Sequence, residues 1–335
     1  MAVAAGTPAT AQALAPRAAV VFSGPTMGTR YTVRVVMTGG DEAANDRVRA
    51  AIDRELSLAN RLFSGWDPAS EVSRLNAHAS TEPFPVSAET MAALELGRRA
   101  SELTDGAFDV TVAPLVEAWG FGAAKKPPAV PAADTLAALR ARVGYRQLSL
   151  DAARKTVAKA RPDLACDVSA LAGGWAADRT AAAIVALGFP HVLVDVGGEV
   201  SARGRRPDGS RWRVAVETPQ PGKVGAVVEL EDAAVATSGD YRNAWTDGQG
   251  RRRSHILDPR TGEPITHGLA SVSVVHPDGA WADALATGLL VLGPEAGRAL
   301  AARERLAARL VLRQADGAYA EWSTPAFEAL VAPAR

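Results

Sequence analysis

Residues 167–203 read DVSALAGGWAADRTAAAIVALGFPHVLVDVGGEVSAR, and this stretch combines both kinds of element from which we expect the fold to be built. A small-residue turn leads into an apolar segment that predicts a helix over 170–187, which Gly188 ends. Two strand-like runs follow at 191–196 and 200–203. The stretch therefore predicts a helix followed directly by strands.

The sequence on either side supplies further helices and strands. Alternating apolar residues over 29–37 predict a strand, and apolar residues at three- and four-residue steps over 41–63 predict an amphipathic helix. Ser87 is an N-cap candidate for a helix over 88–103. The other predicted elements are helices over 132–143, 281–292 and 294–307, strands over 212–216, 226–230 and 270–275, and a closing hairpin of 310–313 with 318–322.

These elements do not alternate as regular strand–helix units, which favours an α+β fold over a doubly wound sheet. The chain has 335 residues and is 47% hydrophobic, which is enough to bury one large core or two closely joined subdomains. We therefore expect an α+β fold with mixed sheets and packed helices, forming a single domain over 23–335.

Residues 1–22 are expected to form a flexible lead-in or the remnant of an export signal. The segment is rich in Ala, and Ala11-Gln12-Ala13 resembles a signal-peptidase site, but no apolar core precedes it. If the segment is a signal remnant, the mature protein works in the periplasm or elsewhere outside the cytoplasm. Otherwise the protein is cytoplasmic.

Charge and cysteine content exclude several functional classes. Lys plus Arg and Asp plus Glu number 37 each, so the net basic character of a nucleic-acid-binding protein is absent. The arginines at 205–206 and 251–253 are either solvated loops or contacts to phosphate or a partner. Cys166 is the single cysteine, which excludes an intrachain disulfide and a cysteine-based zinc site. Balanced charge without a coiled-coil pattern predicts a monomer or weak dimer.

The common nucleotide-binding and hydrolase motifs are missing from the sequence, so the chemistry must come from less common patterns. Asp283 and Thr287 are four residues apart on a predicted helix, so both side chains emerge on one face. Their oxygens can hold a hard cation, and Mg²⁺ fits because it keeps positions open for phosphate oxygens. An N-terminal helix acid beside an ordinary interior threonine is the alternative interpretation.

Two further segments indicate anion binding and proton transfer. The small residues at 167–178 open a helix, where a phosphate can approach the backbone, or they form a tightly packed helix start. His255 precedes a turn at 258–262, and histidine suits proton transfer near neutral pH, although a structural histidine is the alternative. The segments 24–29 and 106–111 fit either a slot for a flat ring or plain packing.

Taken together, these segments resemble the FAD:protein FMN transferase family, the ApbE family. The matching segments occur in the family's order and together span most of the chain. They are Met27-Gly28-Thr29, Trp66–Asn76, Gly106–Thr111 with Trp119–Gly122, Asp167–Asp178, Val194–Glu199 with Trp212–Val214, Ser238–Arg242, Ser254–Gly262 and Asp283–Thr287.

The resemblance implies a Mg²⁺ site formed by the Ala170 carbonyl, Asp283 and Thr287. It also implies a set of residues that contact FAD: Met27, Trp66, Ala107, Phe108, Asp109, Asp167, Gly173 and His255. Trp66 stands where tyrosine is frequent, and either ring can stack on a flat heterocycle. Gly173 stands where the family usually has lysine or glutamate, so its side chain cannot supply that contact.

The implied activity is the magnesium-dependent transfer of FMN from FAD to a threonine or serine of another protein, with release of AMP. His255 is the candidate base and Asp283 the second catalytic residue. The implied acceptor is an exported or membrane-attached flavoprotein subunit, so any membrane association would be loose and through that partner. The alternatives are an FAD pyrophosphatase that releases FMN and AMP, a non-catalytic flavin-binding protein, and an assembly factor for a respiratory complex.

Overall fold

A computed structural model describes residues 17–124, 126–220 and 222–333. The signal-like Ala11-Gln12-Ala13 lies outside the described residues, so the export signal stays a prediction. None of the helices described combines the length and the apolar character that crossing a membrane would require.

The helices and strands have the following bounds. The helices are α1 (Glu42–Phe63), α2 (Glu71–Ala77), α3 (Ala88–Leu103), α4 (Ala113–Ala118), α5 (Ala133–Arg140), α6 (Ser169–Ala186), α7 (Gly279–Arg303) and α8 (Pro325–Glu328), with a 3-10 turn at Tyr145–Gln147. The strands are β1 (Arg17–Thr26), β2 (Thr29–Thr38), β3 (Phe84–Pro85), β4 (Leu148–Asp151), β5 (Thr156–Lys159), β6 (Val192–Val196), β7 (Glu199–Arg203), β8 (Trp212–Glu217), β9 (Val224–Leu230), β10 (Ala233–Gly239), β11 (Ala244–Thr246), β12 (Arg252–Ser254), β13 (Leu257–Asp258), β14 (Glu263–Pro264), β15 (Leu269–His276), β16 (Ala307–Arg313) and β17 (Tyr319–Ser323).

An eight-stranded sheet in the order β1-β2-β6-β7-β10-β15-β16-β17 organises the molecule. Every neighbouring pair in it is antiparallel. The smaller sheets are β3-β5-β4 and the pairs β8-β9, β11-β12 and β13-β14. Helices packed on an antiparallel sheet confirm the predicted α+β class.

Alternation along β6 shows how the large sheet separates two cores. Because successive strand residues point to opposite faces, Val192 and Val194 pack with α1 and α6. Leu193 points the other way and joins the cluster of the β8–β9 hairpin. The sheet thus carries helices on one face and a small hairpin on the other.

Helices α6 and α7 cross at a contact that only glycine permits. A Cβ built on Gly174 would lie 2.1 Å from the Gly279 carbonyl oxygen. A backbone atom cannot move aside as a side chain can, so any larger residue would force the helices apart. The Gly279 amide also donates to Asp178 Oδ2 at 2.5 Å, which fixes the start of α7 on α6.

Two hairpin turns meet at one end of the sheet. Met27 and Gly28 form the two-residue turn between β1 and β2, with φ of 46° and 72°, values typical of a type I′ hairpin turn. The Gly197 amide, in the turn between β6 and β7, donates to the Arg30 carbonyl at 3.0 Å. A large cleft lies at this end of the sheet, beside the start of α6.

Most predicted elements are confirmed, with differences where local signals are weak. The helix expected over 294–307 is wrong at its end, since α7 continues through a kink at Gly293 (φ 83°) and stops at Arg303, and Ala307 begins β16. Strand β10 and the short helix α2 were not predicted. Strand β1 covers residues 17–22, so the flexible lead-in expected over 1–22 does not extend over that part.

Candidate active site

A cleft of about 1340 Å³ opens at the end of the sheet. Five of the predicted site residues line it although they are far apart in sequence: Met27, Trp66, Asp167, Gly173 and His255. The opposite wall comes from α4, α5 and the segments flanking them. Ligand pockets for drug-sized molecules measure roughly 300–1,000 Å³, so this cleft has room for a dinucleotide.

The loop after α1 places an aromatic ring at the mouth of the cleft. Trp66 is 61% exposed, which is unusual for so large an apolar side chain. The amides of Trp66 and Asp67 both donate to Ser64 Oγ, at 3.2 and 3.1 Å, which fixes the loop. The exposed ring can therefore stack on a flat heterocycle at this mouth.

The cleft floor is tied to distant parts of the chain by short backbone bonds. The Asp167 amide donates to the Val110 carbonyl at 2.6 Å, and Asp167 Oδ1 accepts from the amide of Ser169, the first residue of α6, at 2.8 Å. The neighbouring Cys166 is 2% exposed, and burial raises the pKa of its thiol to about 12. Cys166 is therefore a protonated structural residue, because the thiolate is the reactive form.

Three residues expected to contact FAD have their side chains in the protein interior. Ala107 and Phe108 are 1% and 4% exposed and pack in the hydrophobic core. Asp109 is buried and accepts from Thr111 Oγ1 at 2.6 Å and from the Tyr145 amide at 2.7 Å. Their side chains thus support the segment beside Asp167, and direct contact with a ligand stays a prediction.

Asp283, one of the expected cation ligands, lies where α6 meets α7. Asp283 is only 7% exposed, and its Oδ2 accepts from the Gly174 amide at 3.3 Å. Gly174 is one helical turn after Ala170, whose φ and ψ of −81° and 20° depart from helical values. The Asp283 carboxylate therefore contacts α6 one helical turn after Ala170, whose carbonyl is the predicted ligand.

Thr287 is the third expected ligand and follows Asp283 by one turn of α7. Its Oγ1 is 2.8 Å from Ser238 Oγ of β10. The predicted donor set would therefore comprise one carboxylate, one hydroxyl and one carbonyl oxygen. Within the described ranges, no group of three or more His, Cys, Asp or Glu side chains is arranged to hold a metal ion. A small set of protein ligands that are all oxygen atoms is typical of Mg²⁺, which keeps several waters and binds substrate phosphates.

The Asp283 carboxylate has an unusual protonation equilibrium. Burial raises its pKa to about 7, and the hydrogen bond from the Gly174 amide opposes this shift only in part. A carboxyl group that is buried without a cationic partner gains from a bound cation, because the cation favours the charged form. The electrostatics of Asp283 thus agree with a cation-binding role.

His255 presents one ring nitrogen as a base. Its Nδ1 lies 2.9 Å from the Asn243 carbonyl, and a carbonyl only accepts, so Nδ1 carries the proton and Nε2 is left as an acceptor. Burial lowers the pKa of the ring, which keeps it neutral near pH 7. The ring of Phe121 packs against it edge-on, with centroids 6.2 Å apart.

Sequence reasoning missed two residues of this region. Ser238 contacts Thr287, and Glu199 lines the cleft beside Gly173. Both lie in segments that matched the family pattern, but neither periodicity nor spacing assigned them a role. Only the packing of β7 and β10 against α6 and α7 reveals their position.

Sequence comparisons agree with this architecture. A family model described as the ApbE family matches residues 27–310. A protein of Vibrio cholerae named FAD:protein FMN transferase is 39% identical over 315 residues, covering 93% of this chain and 93% of that protein. A protein of the same name from Escherichia coli is 36% identical over 315 residues, covering 93% of this chain and 89% of the relative.

Solved structures show the same fold. The flavin transferase ApbE from Vibrio cholerae has a TM-score of 0.85 at 38% identity, covering 94% of this chain and 100% of that one. The flavinyl transferase ApbE of Pseudomonas stutzeri, solved in its apo form, has a TM-score of 0.83 at 40% identity, covering 94% and 97% of the two chains. The chain belongs to the ApbE family.

Proposed function

We propose that this protein is a magnesium-dependent FAD:protein FMN transferase, which attaches FMN through a phosphoester to a threonine or serine of another protein. The observation that carries the proposal is the convergence on one dinucleotide-sized cleft. Met27, Trp66, Asp167 and His255 line it, and Asp283 lies where α6 and α7 meet at Gly174. The names of the curated relatives agree with this activity.

FAD binding is supported by the contrast between the two ends of the cleft. The exposed Trp66 ring offers a stacking surface for the flat flavin. The first turn of α6, beside Asp167 and Gly173, offers backbone amides and the positive end of the helix dipole to the diphosphate. In this arrangement the flavin ring of FAD binds at the rim of the cleft, and the diphosphate of FAD binds at the floor.

The oxygens of Ala170, Asp283 and Thr287 would hold the cation. When bound, Mg²⁺ neutralises charge that develops on the diphosphate as the phosphorus–oxygen bond breaks. Asp283 and Thr287 are fixed on a helix whose start is locked against α6, so these donors need little rearrangement.

His255 would accept the proton of the attacking hydroxyl. The acceptor oxygen forms a bond to the phosphorus nearest riboflavin, the bond from that phosphorus to the bridging oxygen breaks, and AMP departs with the electron pair. The proton moves to Nε2, while Nδ1–H keeps its hydrogen bond to the Asn243 carbonyl. A fixed tautomer with the acceptor nitrogen free is what a general base requires.

The acceptor reaches this nitrogen from the exposed side of the cleft. Asn243 and Ala244, next to His255 in space, are exposed and leave room for a segment of a partner protein. The partner would be a flavoprotein subunit, and the transfer would take place in the periplasm if residues 1–22 include a signal remnant. A monomer or weak dimer stays our expectation for the enzyme itself.

The test is incubation of the protein with FAD, Mg²⁺ and a flavoprotein subunit that carries a candidate threonine. Mass spectrometry should find an FMN adduct on that threonine, and chromatography should find AMP in equal amount. FMN and AMP released without any acceptor would instead indicate a pyrophosphatase. FAD that stays intact under both conditions would leave a binding protein and contradict the proposal.

A further inference from the structure

Glu199 is the first residue of β7 and leans over the start of α6. Its Oε2 lies 2.7 Å from the position that a Cβ on Gly173 would take, and its Cγ and Cδ lie 3.1 Å from that position. The side chain therefore lies flat across Gly173 and fills the space that any other residue at 173 would need. The missing side chain at 173 leaves room for a carboxylate that comes from the sheet.

Asp283 approaches the very next residue of the same helix, since its Oδ2 is 3.3 Å from the Gly174 amide. The two carboxylates thus approach adjacent residues of α6, one from β7 and one from α7. Glu199 is half-buried and lines the cleft, and Asp283 is buried. Two acidic groups therefore meet α6 at adjacent residues near the floor of the cleft.

No cation of the described chain compensates this pair. Among residues 17–124, 126–220 and 222–333, no ion pair includes Glu199 or Asp283. Arg242 contributes only weakly, since its guanidinium pairs with Glu217 at 3.1 Å on the exposed side. Asp283 is buried and Glu199 is half-buried, so two uncompensated charges are unfavourable at these positions, and they would also repel an anionic diphosphate. A divalent cation between the two carboxylates would compensate their charge and would also attract the diphosphate.

We propose that Glu199 shares with Asp283 the divalent cation of the site, as a ligand directly or through one water. The inference rests on the proposed function and extends it, because it adds a donor from the sheet to the donors of the two helices. Three elements would then hold the cation: α6, α7 and β7. Gly173 contributes to this arrangement because it has no side chain, so the space above it is open to the Glu199 carboxylate.

The test is Mn²⁺ binding to the protein without FAD, measured from the electron paramagnetic resonance signal of free Mn²⁺. Replacing Glu199→Gln removes one charge and keeps the size, and we expect binding weakened by about 10- to 100-fold, the range for an outer partner of a metal site. Asp283→Asn should remove binding. Asp195→Asn is the matched control, because it removes a charge from the neighbouring strand while Asn keeps an acceptor for the Gly198 amide.

A second variant tests the geometry without removing any donor. In Gly173→Ala, the new Cβ would meet only the flexible end of Glu199, so the fold should persist and the carboxylate should be displaced. We expect weaker Mn²⁺ binding in Gly173→Ala and little further loss when it is combined with Glu199→Gln. Non-additive losses of this kind show that the two positions act through one contact.

The outcomes separate this inference from the proposed function. Loss of Mn²⁺ affinity in Glu199→Gln but not in Asp195→Asn, with non-additive losses at 173 and 199, supports a ligand role for Glu199. Unchanged affinity in Glu199→Gln, while Asp283→Asn abolishes binding, overturns this inference and leaves the transferase proposal intact. Absence of Mn²⁺ binding by the unaltered protein overturns the inference and contradicts the cation site on which the proposed chemistry depends.

Discussion

The floor and the rim of the cleft are built in opposite ways. At the floor, Gly174 and Gly279 bring two helix backbones into contact, and Asp283 is 7% exposed. At the rim, Trp66 is 61% exposed on a loop, and Asn243 lies on an exposed turn. Charged groups that need fixed positions thus sit on packed helices, whereas groups that meet ligand and partner sit on loops. Changes at the floor should therefore affect chemistry or fold, and changes at the rim should affect binding.

The largest effect is expected for Asp283→Ala at the floor. The cation should lose its anchoring carboxylate and with it several kcal/mol of transition-state stabilisation, which corresponds to a rate loss of about a thousandfold or more. Because burial disfavours the charged form of Asp283, the change should not lower the melting temperature at pH 8. Single-turnover transfer measured by mass spectrometry is the readout, and Thr287→Ser, which keeps the hydroxyl, is the control. Near-normal transfer by Asp283→Ala would contradict the floor's catalytic role.

His255→Ala should slow transfer by about 100- to 1,000-fold, the range for a lost general base, with little change in FAD affinity. Burial lowers the pKa of His255, so the neutral base persists below the ordinary histidine value of about 6.5. The acidic limb of kcat/KM should therefore lie below that pH and disappear in the variant. The free energy of unfolding should also decrease as the pH falls through this range, because the unfolded chain takes up this proton at a higher pH than the folded chain does. Equal losses in FAD affinity and rate would reduce His255 to a positioning residue.

Two adjacent glycines offer a matched test of packing at the floor. Gly174→Ala places its Cβ 2.1 Å from the Gly279 carbonyl oxygen, whereas Gly173→Ala meets a side chain. We expect Gly174→Ala to cost about 3 kcal/mol of unfolding free energy, at the upper end for overpacking, and Gly173→Ala to cost clearly less. Thermal and urea unfolding give both values. Similar costs for the two variants would mean that the helix crossing is more adaptable than its geometry indicates.

The smallest effect is expected at the rim, for Trp66→Ala. Loss of ring stacking worth about 0.5–1.5 kcal/mol should raise KM for FAD by about 2- to 13-fold and leave kcat nearly unchanged. Trp66→Tyr should behave like the unaltered protein, because the smaller ring can still stack. A fall in kcat as large as that of a floor variant would erase the distinction between the two regions.

Sequence reasoning recovered the elements with strong local signals. Helix α3 has the predicted bounds, because Ser87 caps its first turn and the apolar spacing is continuous. Strand β10 (Ala233–Gly239) was missed because its small residues give no clear alternation. Helix α7 was divided in two because a kink at Gly293 before Pro294 resembles a helix end in sequence.

The site was predictable as a set of segments but not as an arrangement. Met27, Trp66, Asp167 and His255 meet in one cleft as expected from their motifs. The same reasoning could not distinguish a ring-binding slot from packing at Ala107 and Phe108, whose side chains lie in the core. The contact of Glu199 with the space above Gly173 joins a strand to a helix, and no local pattern encodes such a contact.

The buried Cys166 has a practical consequence for experiments on this protein. Its thiol is 2% exposed and holds its proton up to a pH near 12, so thiol-directed labels should not reach it in the native state. Because Cys166 is the one native cysteine, a cysteine introduced at an exposed rim position would be the single reactive thiol of that variant. A fluorophore or spin probe attached there would report on ligand entry and acceptor docking, and Cys166 would not have to be replaced first.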